Sequence, residues 1–259
     1  MQIVGVKIKP WEAVEDFDPR DLDLVQDDYV VLETEQGLEV GKVIYVQKES
    51  DKSKKIKPIL RKAVGSDVQK IEYYQKKKGE IFSVAKTKIT KYDLPMKLVD
   101  VHFAFDGSRI TFAFTAEGRI DFRDLLKDLT RHFQKSIRLQ QIGSRDETKG
   151  LGGYGMCGRE ICCTKFLDEL KSVTTDMARL QETTQKGSEK NSGLCGRLKC
   201  CLAYEAEAYK DLARGMPEVL EEIKTEKGKG VVISRNLLSR TVKVKLKKDN
   251  VEIEIPIKS

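Results

Sequence analysis

All six cysteines of this 259-residue chain fall in two short segments that repeat one pattern. The first is Gly155-Met156-Cys157-Gly158-Arg159-Glu160-Ile161-Cys162-Cys163-Thr164-Lys165-Phe166. The second is Gly193-Leu194-Cys195-Gly196-Arg197-Leu198-Lys199-Cys200-Cys201-Leu202-Ala203-Tyr204. Both read G-[ML]-C-G-R-x-x-C-C-x-x-[FY], with every position 38 residues from its counterpart. Three thiolates within seven residues suit a soft metal centre if the backbone turns sharply between them. Gly158 and Gly196, directly after the first cysteine of each copy, permit such a turn. An extended strand would send adjacent cysteines to opposite faces, so the pairs Cys162-Cys163 and Cys200-Cys201 require a turn or a helix start. Backbone N–H groups at such a start, with Arg159 and Arg197 nearby, would offset the charge of a cysteine-bound cluster. Surface ion pairs are the ordinary alternative for these two arginines.

Three cysteines per copy are one short of the four that iron–sulfur clusters and structural zinc usually take. Either each copy holds a centre completed from elsewhere, or four of the six form one site. Only two histidines are present, so a thiolate from a partner protein is the natural fourth donor. The C-x4-C-C spacing is not the C-x2-C of zinc ribbons and redox dithiols. It is also not the C-x3-C-x2-C loop of radical enzymes. An iron–sulfur cluster is the expected cofactor, zinc is the alternative, and thiols that pair or simply pack are the third reading. No paired-carboxylate, serine–histidine or phosphate-loop constellation accompanies the cysteines, so a non-catalytic role is expected.

No run approaches the roughly eighteen consecutive apolar residues of a membrane span, and the start of the chain lacks the apolar core of a signal peptide. A cytoplasmic protein with reduced thiols is expected. The net charge of +7 is uneven, with lysine clusters at Lys52–Lys57 and at Lys76, Lys77 and Lys78. Such clusters could meet RNA or an acidic partner, although a solvated face is the commoner meaning of a charge run.

The pattern of elements suggests an α+β fold. Residues 3–8, Tyr29–Glu33 and Leu38–Val46 read as strands, the last two joined by a turn at Glu35-Gln36-Gly37. A lysine-rich linker is expected from Gln47 to Lys57, and a helix over 66–90. Val101, Phe103 and Phe105 share one strand face, Asp106-Gly107-Ser108 turns, and Ile110, Phe112 and Phe114 share a face of the return strand. The four phenylalanines are expected in a core rather than on an RNA-stacking surface, because a helix with a matching apolar stripe follows. That helix carries Phe122, Leu125, Leu126, Leu129 and Phe133, with Asp121 as its cap. The strand Ser136–Ile142 completes a ferredoxin-like helix–strand–strand–helix–strand unit, a mixed sheet with helices on one face. His102 and His132 are isolated and read as packing or surface residues. Leu167, Leu170, Val173, Met177 and Leu180 recur at helical spacing between the cysteine copies, and Gln185–Ser192 reads as a loop. Strands at Val231–Ser234, Thr241–Leu246 and Val251–Ile257 are expected to pair with the N-terminal ones in a small barrel. The expected divisions are a β-rich segment at 1–60, an α+β domain at 61–150, a cysteine-repeat loop and helix segment at 151–215, and flanking strands at 216–259.

Several segments also carry a resemblance. Leu151-Gly152-Gly153-Tyr154 leads into the first cysteine copy, and Ser192 and Glu205 flank the second. Upstream stand Leu94-Pro95-Met96-Lys97-Leu98-Val99-Asp100-Val101, Phe105-Asp106-Gly107-Ser108 and the run from Phe114 to Arg123. Together they resemble the bacterial YaaT/RicT family, which shares a domain with the C-terminal part of the eukaryotic polymerase suppressor protein. The likeness is close over roughly residues 90–206 and looser on the flanks. It implies a subunit of the Ric (Y) complex, in which small helical RicA- and RicF-like partners assemble with it and 4Fe–4S clusters are carried. It further implies action with the endonuclease RNase Y in messenger RNA maturation, and effects on sporulation, competence and biofilm formation. On this chain the six cysteines would be the cluster ligands, with the remaining ligands from the partners. Flavin is also linked to that complex, yet no dinucleotide-binding glycine loop is present.

Overall fold

Strand-forming residues open the chain, and Val4 and Val6 at its start are fully buried. A computed structural model describes residues 2–47, 56–167, 172–183 and 187–257. The chain divides into two compact units, Met1–Gly152 and Gly153–Ser259. Among the described residues no helix is long and apolar enough to cross a membrane.

The first unit begins with β1 (Ile3–Lys7), β2 (Glu15–Asp18), β3 (Tyr29–Thr34), β4 (Gly37–Gln47) and β5 (Lys57–Lys62). They close into a barrel in the order β1-β2-β5-β3-β4. Its interior holds Val4, Val6, Phe17, Val30, Leu32 and Val43 among others, as the alternation of apolar residues requires. The expected β3–β4 hairpin forms, and its turn pairs Thr34 with Gly37. Most of the expected lysine-rich linker, including Lys52, Lys54 and Lys55, lies outside the described residues, and Lys57 opens β5.

Next come α1 (Gly65–Lys91), β6 (Lys97–Phe103), β7 (Arg109–Thr115), α2 (Arg123–Phe133), β8 (Ser136–Gln141) and α3 (Ser144–Leu151). This is the expected helix–strand–strand–helix–strand unit. Strands β6 and β7 pair antiparallel, β7 and β8 parallel. Ala85 and Ile89 of α1 and Leu125 and Leu129 of α2 pack with Val101, Ile110, Phe112 and Phe114 in one core. The sheet's core side therefore follows the stripes read from the sequence. Two details differ. A bulge between Leu98 and Asp100 re-phases β6, so Leu98 and Val101 both enter the core, while Phe105 lies past the strand end and donates its N–H to Leu38 O. The other side of β7 is also covered, with Trp11, Ala113 and Ile142 forming a smaller cluster. The α2 cap is at Phe122 rather than Asp121, yet Asp121 still accepts the Arg123 N–H at 3.2 Å.

The second unit contains α4 (Cys162–Lys165), α5 (Thr175–Leu180), α6 (Ser188–Asn191) and α7 (Cys200–Ala213), then β9 (Glu222–Thr225), β10 (Gly228–Asn236), β11 (Thr241–Leu246) and β12 (Glu252–Pro256). The strands form their own sheet in the order β12-β11-β10-β9. The expected pairing of these strands with the N-terminal ones is therefore corrected: the barrel closes on itself through β1 and β4 and has no edge to offer. Met216, Val232, Leu237, Val242 and Val244 form the core beneath Tyr209 and Leu212 of α7. Of the apolar residues read at helical spacing, Met177 and Leu180 lie on α5, Leu167 and Val173 lie outside helix, and Leu170 is outside the described residues. Gln185 is also outside them, and the expected loop contains the single turn α6.

Candidate metal centre

Each cysteine copy folds into the same frame. In the first, Gly155 N–H donates to Arg159 O at 2.8 Å and Gly158 N–H to Gly155 O at 2.9 Å. In the second, Gly193 N–H donates to Arg197 O at 2.7 Å and Gly196 N–H to Gly193 O at 3.0 Å. An isolated bridge pairs Tyr154 with Glu160, and its counterpart pairs Ser192 with Leu198. Gly158 and Gly196 have φ of 75° and 74°, the left-handed region that a side chain disfavours. The glycine after each first cysteine is thus required by the turn, as the sequence implied. Arg159 and Arg197 are exposed and close the turns through their carbonyls.

The exit from each turn is also duplicated. Ile161 N–H donates to Gly153 O at 3.1 Å and Lys199 N–H to Asn191 O at 2.9 Å. Ile161 and Lys199 then cap helices with nearly the same backbone, φ −58° and ψ 133° against φ −58° and ψ 136°. Cys162-Cys163 and Cys200-Cys201 therefore occupy the first two positions of α4 and α7. The vicinal pairs stand at helix starts, one of the two arrangements expected. In both copies one cysteine sits on the turn and two sit at the helix start.

The two copies meet within the unit. Helix α4 packs on α7. Phe166 and Tyr204, the closing aromatics of the two motifs, lie edge to face with ring centroids 5.2 Å apart. Lys199 contacts the Met156 sulfur, and Leu194 approaches Gly153. Burial raises the Cys201 thiol pKa most, and the charges of Glu205 and Cys162 push it the same way. Cys162 of the first copy and Cys201 of the second are therefore electrostatic neighbours.

All six cysteines are thiols; Cys163 is buried, Cys157 exposed and the other four intermediate. Among the described residues no three His, Cys, Asp or Glu side chains converge as one metal site. The donor chemistry fits a soft metal centre, and six thiols in one small unit supply enough ligands for it. The duplication lies in the backbone frames, while the thiols of corresponding cysteines differ in burial. The sequence did not reveal an exposed apolar rim. Tyr154, Met156, Phe166, Leu194 and Tyr204 are 59–71% exposed. The readable signal was the apolar residue between glycine and cysteine in G-[ML]-C-G, since a residue on such a tight turn cannot be buried by its own strand.

The remaining sequence candidates lie in the Met1–Gly152 unit. Lys76 is exposed on α1, Lys77 sits 4.8 Å above the Tyr73 ring, and Lys78 pairs with Asp100 at 2.6 Å. His102 Nε2 lies 2.8 Å from buried Glu39, and His132 packs edge to face on Phe133. His102 packs and His132 is exposed, the packing and surface roles expected of them.

The pattern of the PSP1 C-terminal conserved region matches residues 57–142, and that of the third domain of PSP1-like proteins matches residues 172–216. The chain is 39% identical over 247 residues to the stage 0 sporulation protein YaaT of Bacillus subtilis (strain 168), covering 94% of this chain and 90% of that one. An uncharacterized protein of Schizosaccharomyces pombe is 27% identical over 146 residues, which are 45% of this chain and 20% of its own. Protein PSP1 of Saccharomyces cerevisiae is 38% identical over 53 residues, 20% of this chain and 6% of its own. No solved structure matches the chain.

Proposed function

The chain belongs to the YaaT/RicT family of proteins with a PSP1 C-terminal region, and on that premise we propose that it is a non-catalytic, iron–sulfur-binding regulatory subunit acting in sporulation control. The observation that carries this reading is the duplicated frame, which sets one cysteine on a glycine turn and two at a helix start in each copy. Cys157, Cys162 and Cys163 would hold one side of a centre, and Cys195, Cys200 and Cys201 the other. A bound 4Fe–4S cluster supplies an oxygen- and redox-sensitive link between the groups that ligate it. The chain's own part is to keep three thiols on each rigid frame and to leave ligand positions open. RicA- and RicF-like small helical proteins are the proposed donors of the remaining thiolates, and the exposed apolar rim gives them a surface to cover. RNase Y is the proposed effector, in the cytoplasm, with messenger RNA processing as the output.

Anaerobic purification, alone and with the candidate partners, tests the reading through iron, sulfide and zinc analysis and an absorption spectrum. Iron and sulfide in equal amounts are expected, with loss on Cys157→Ser or Cys195→Ser. Stoichiometric zinc without sulfide under the same conditions would overturn it and favour a zinc-stabilised RNA-binding protein.

A further inference from the structure

The Met1–Gly152 unit contains a cleft of 390 Å³ that the cysteine chemistry does not use. Among the described residues five lysines line it, Lys7, Lys9, Lys42, Lys78 and Lys149, and no carboxylate residue does, although Glu12, Asp27 and Asp100 pair with Lys9, Lys42 and Lys78 from outside the wall. Tyr29, Tyr74, His102, Phe103 and Phe105 supply rings, and Ile8, Val40 and Ile44 an apolar floor. A ligand suited to this wall combines several negative charges with a flat, weakly polar body.

The strand register adds an independent reason. Lys7 of β1 lies directly opposite Lys42 of β4, and Lys42 lies opposite Tyr29 of β3. Register partners share a face, so two ammonium groups and a phenol stand in one row across the barrel. Like charges directly opposite each other repel, and an anion between them would remove that repulsion. Lys42 is otherwise held by Asp27 at 2.7 Å, with side chains 44% and 68% exposed, so that pair exchanges readily for another anion. The facing wall is one stripe of α1, Ile71, Tyr74, Gln75 and Lys78, at helical spacing. Tyr74 stacks on Phe103 with centroids 4.8 Å apart and planes within 9°. Lys9 and Lys149 are buried, Lys9 pairing with Glu12 at 2.8 Å.

We propose that this cleft binds one nucleotide unit of a single-stranded RNA, with phosphates on Lys7 and Lys42 and the base against the aromatic wall. Lysines that track a backbone beside rings that accept a base are the elements of single-strand recognition. The volume is near the lower end of the range of about 300–1,000 Å³ for ligand pockets, room for one nucleotide rather than a dinucleotide. A duplex keeps its bases stacked inside and cannot place one there. Of Lys76, Lys77 and Lys78, Lys78 alone is among the residues lining the cleft.

The inference goes beyond the cluster-bearing role and is independent of it, because no cysteine is involved. The test uses the full chain and the fluorescence anisotropy of a short fluorescein-labelled oligouridylate across a salt series. The wild type is expected to bind. Lys7→Gln combined with Lys42→Gln is expected to weaken binding at least about tenfold and to reduce the log–log salt slope by about 1.4, roughly 0.7 for each lost phosphate contact. Lys76→Gln combined with Lys77→Gln, outside the cleft, is expected to leave affinity within about twofold, as for rim charges that make no contact. Iron and sulfide content should match wild type in both double variants, and circular dichroism should show both folded. Absence of wild-type binding, or equal loss in the Lys76/Lys77 pair, would overturn the proposal. Equal affinity for a duplex would do so too, as would uridine monophosphate entering the cleft while the oligouridylate does not.

Discussion

Asp67 shows how one side chain fastens the barrel to the helix that follows it. Its carboxylate accepts the Val64 N–H at 2.9 Å at the start of α1 and pairs with Arg61 of β5. The Arg61 interaction first, and the Val64 N–H second, hold the Asp67 pKa below the ordinary carboxylate value. A lowered native pKa means stability that is present above the unfolded-state value of about 3.9 and is lost as the pH falls through the native one. Arg61 is 46% exposed, so solvent screening limits the effect to about 1 kcal/mol. Asp67→Asn is therefore expected to lower the urea midpoint at neutral pH. The gap from wild type should close as the pH is taken below the carboxylate range. A gap that stays constant with pH would mean that the carboxylate charge has no part in it.

At the scale of elements, the cysteine turns make a sharper test. Among the described residues no heavy atom beyond the chain neighbours lies within 4 Å of where a Cβ would stand on Gly158 or Gly196, so a substitution there meets the backbone penalty of positive φ. Gly158→Ala should destabilise the turn by about 1–2 kcal/mol, and Gly158→Asn should recover much of that loss, since Asn tolerates the left-handed region. Metal content and thermal melting of the two variants check this, and equal behaviour of Ala and Asn would contradict it. The same turns show what was legible. Glycine after cysteine and a vicinal pair announce a turn and a helix start because backbone geometry acts over a few residues. The α1–β6–β7–α2–β8 order was legible for a similar reason, from stripes such as Leu125 and Leu129. The burial of Ala113 was not, because its cover, Trp11, is about a hundred residues away in the chain. Strand β9, Glu-Ile-Lys-Thr, was missed since two of its four residues are charged and only its pairing with β10 makes it a strand. The self-pairing of the C-terminal sheet was hidden likewise, because alternation gives a strand its faces but not its neighbour. The meeting of the two cysteine copies rests on contacts such as Phe166–Tyr204, which a repeat in sequence does not specify.

At the scale of the whole molecule, the division at Gly152 and Gly153 leaves each unit with its own buried cluster, the first around Phe112 and Val30 and the second around Val232 and Val244. Units with separate cores can fold separately. A fragment ending at Gly152 is expected to be monodisperse, to melt cooperatively with mixed helical and strand circular dichroism, and to carry no iron. Aggregation or a non-cooperative melt would show that its core needs the rest of the chain.

The repeat at an offset of 38 residues makes the molecule its own control. A change made at Cys157 has a twin at Cys195, and one at Gly158 has a twin at Gly196, in the same chain. The backbone frames of the turns agree, so a difference between twins reports their surroundings, among them Glu160 and Ile161 in one copy, Leu198 and Lys199 in the other, and the short α4 against the long α7. Asymmetry between the halves can thus be measured by subtraction, with no second protein as the standard.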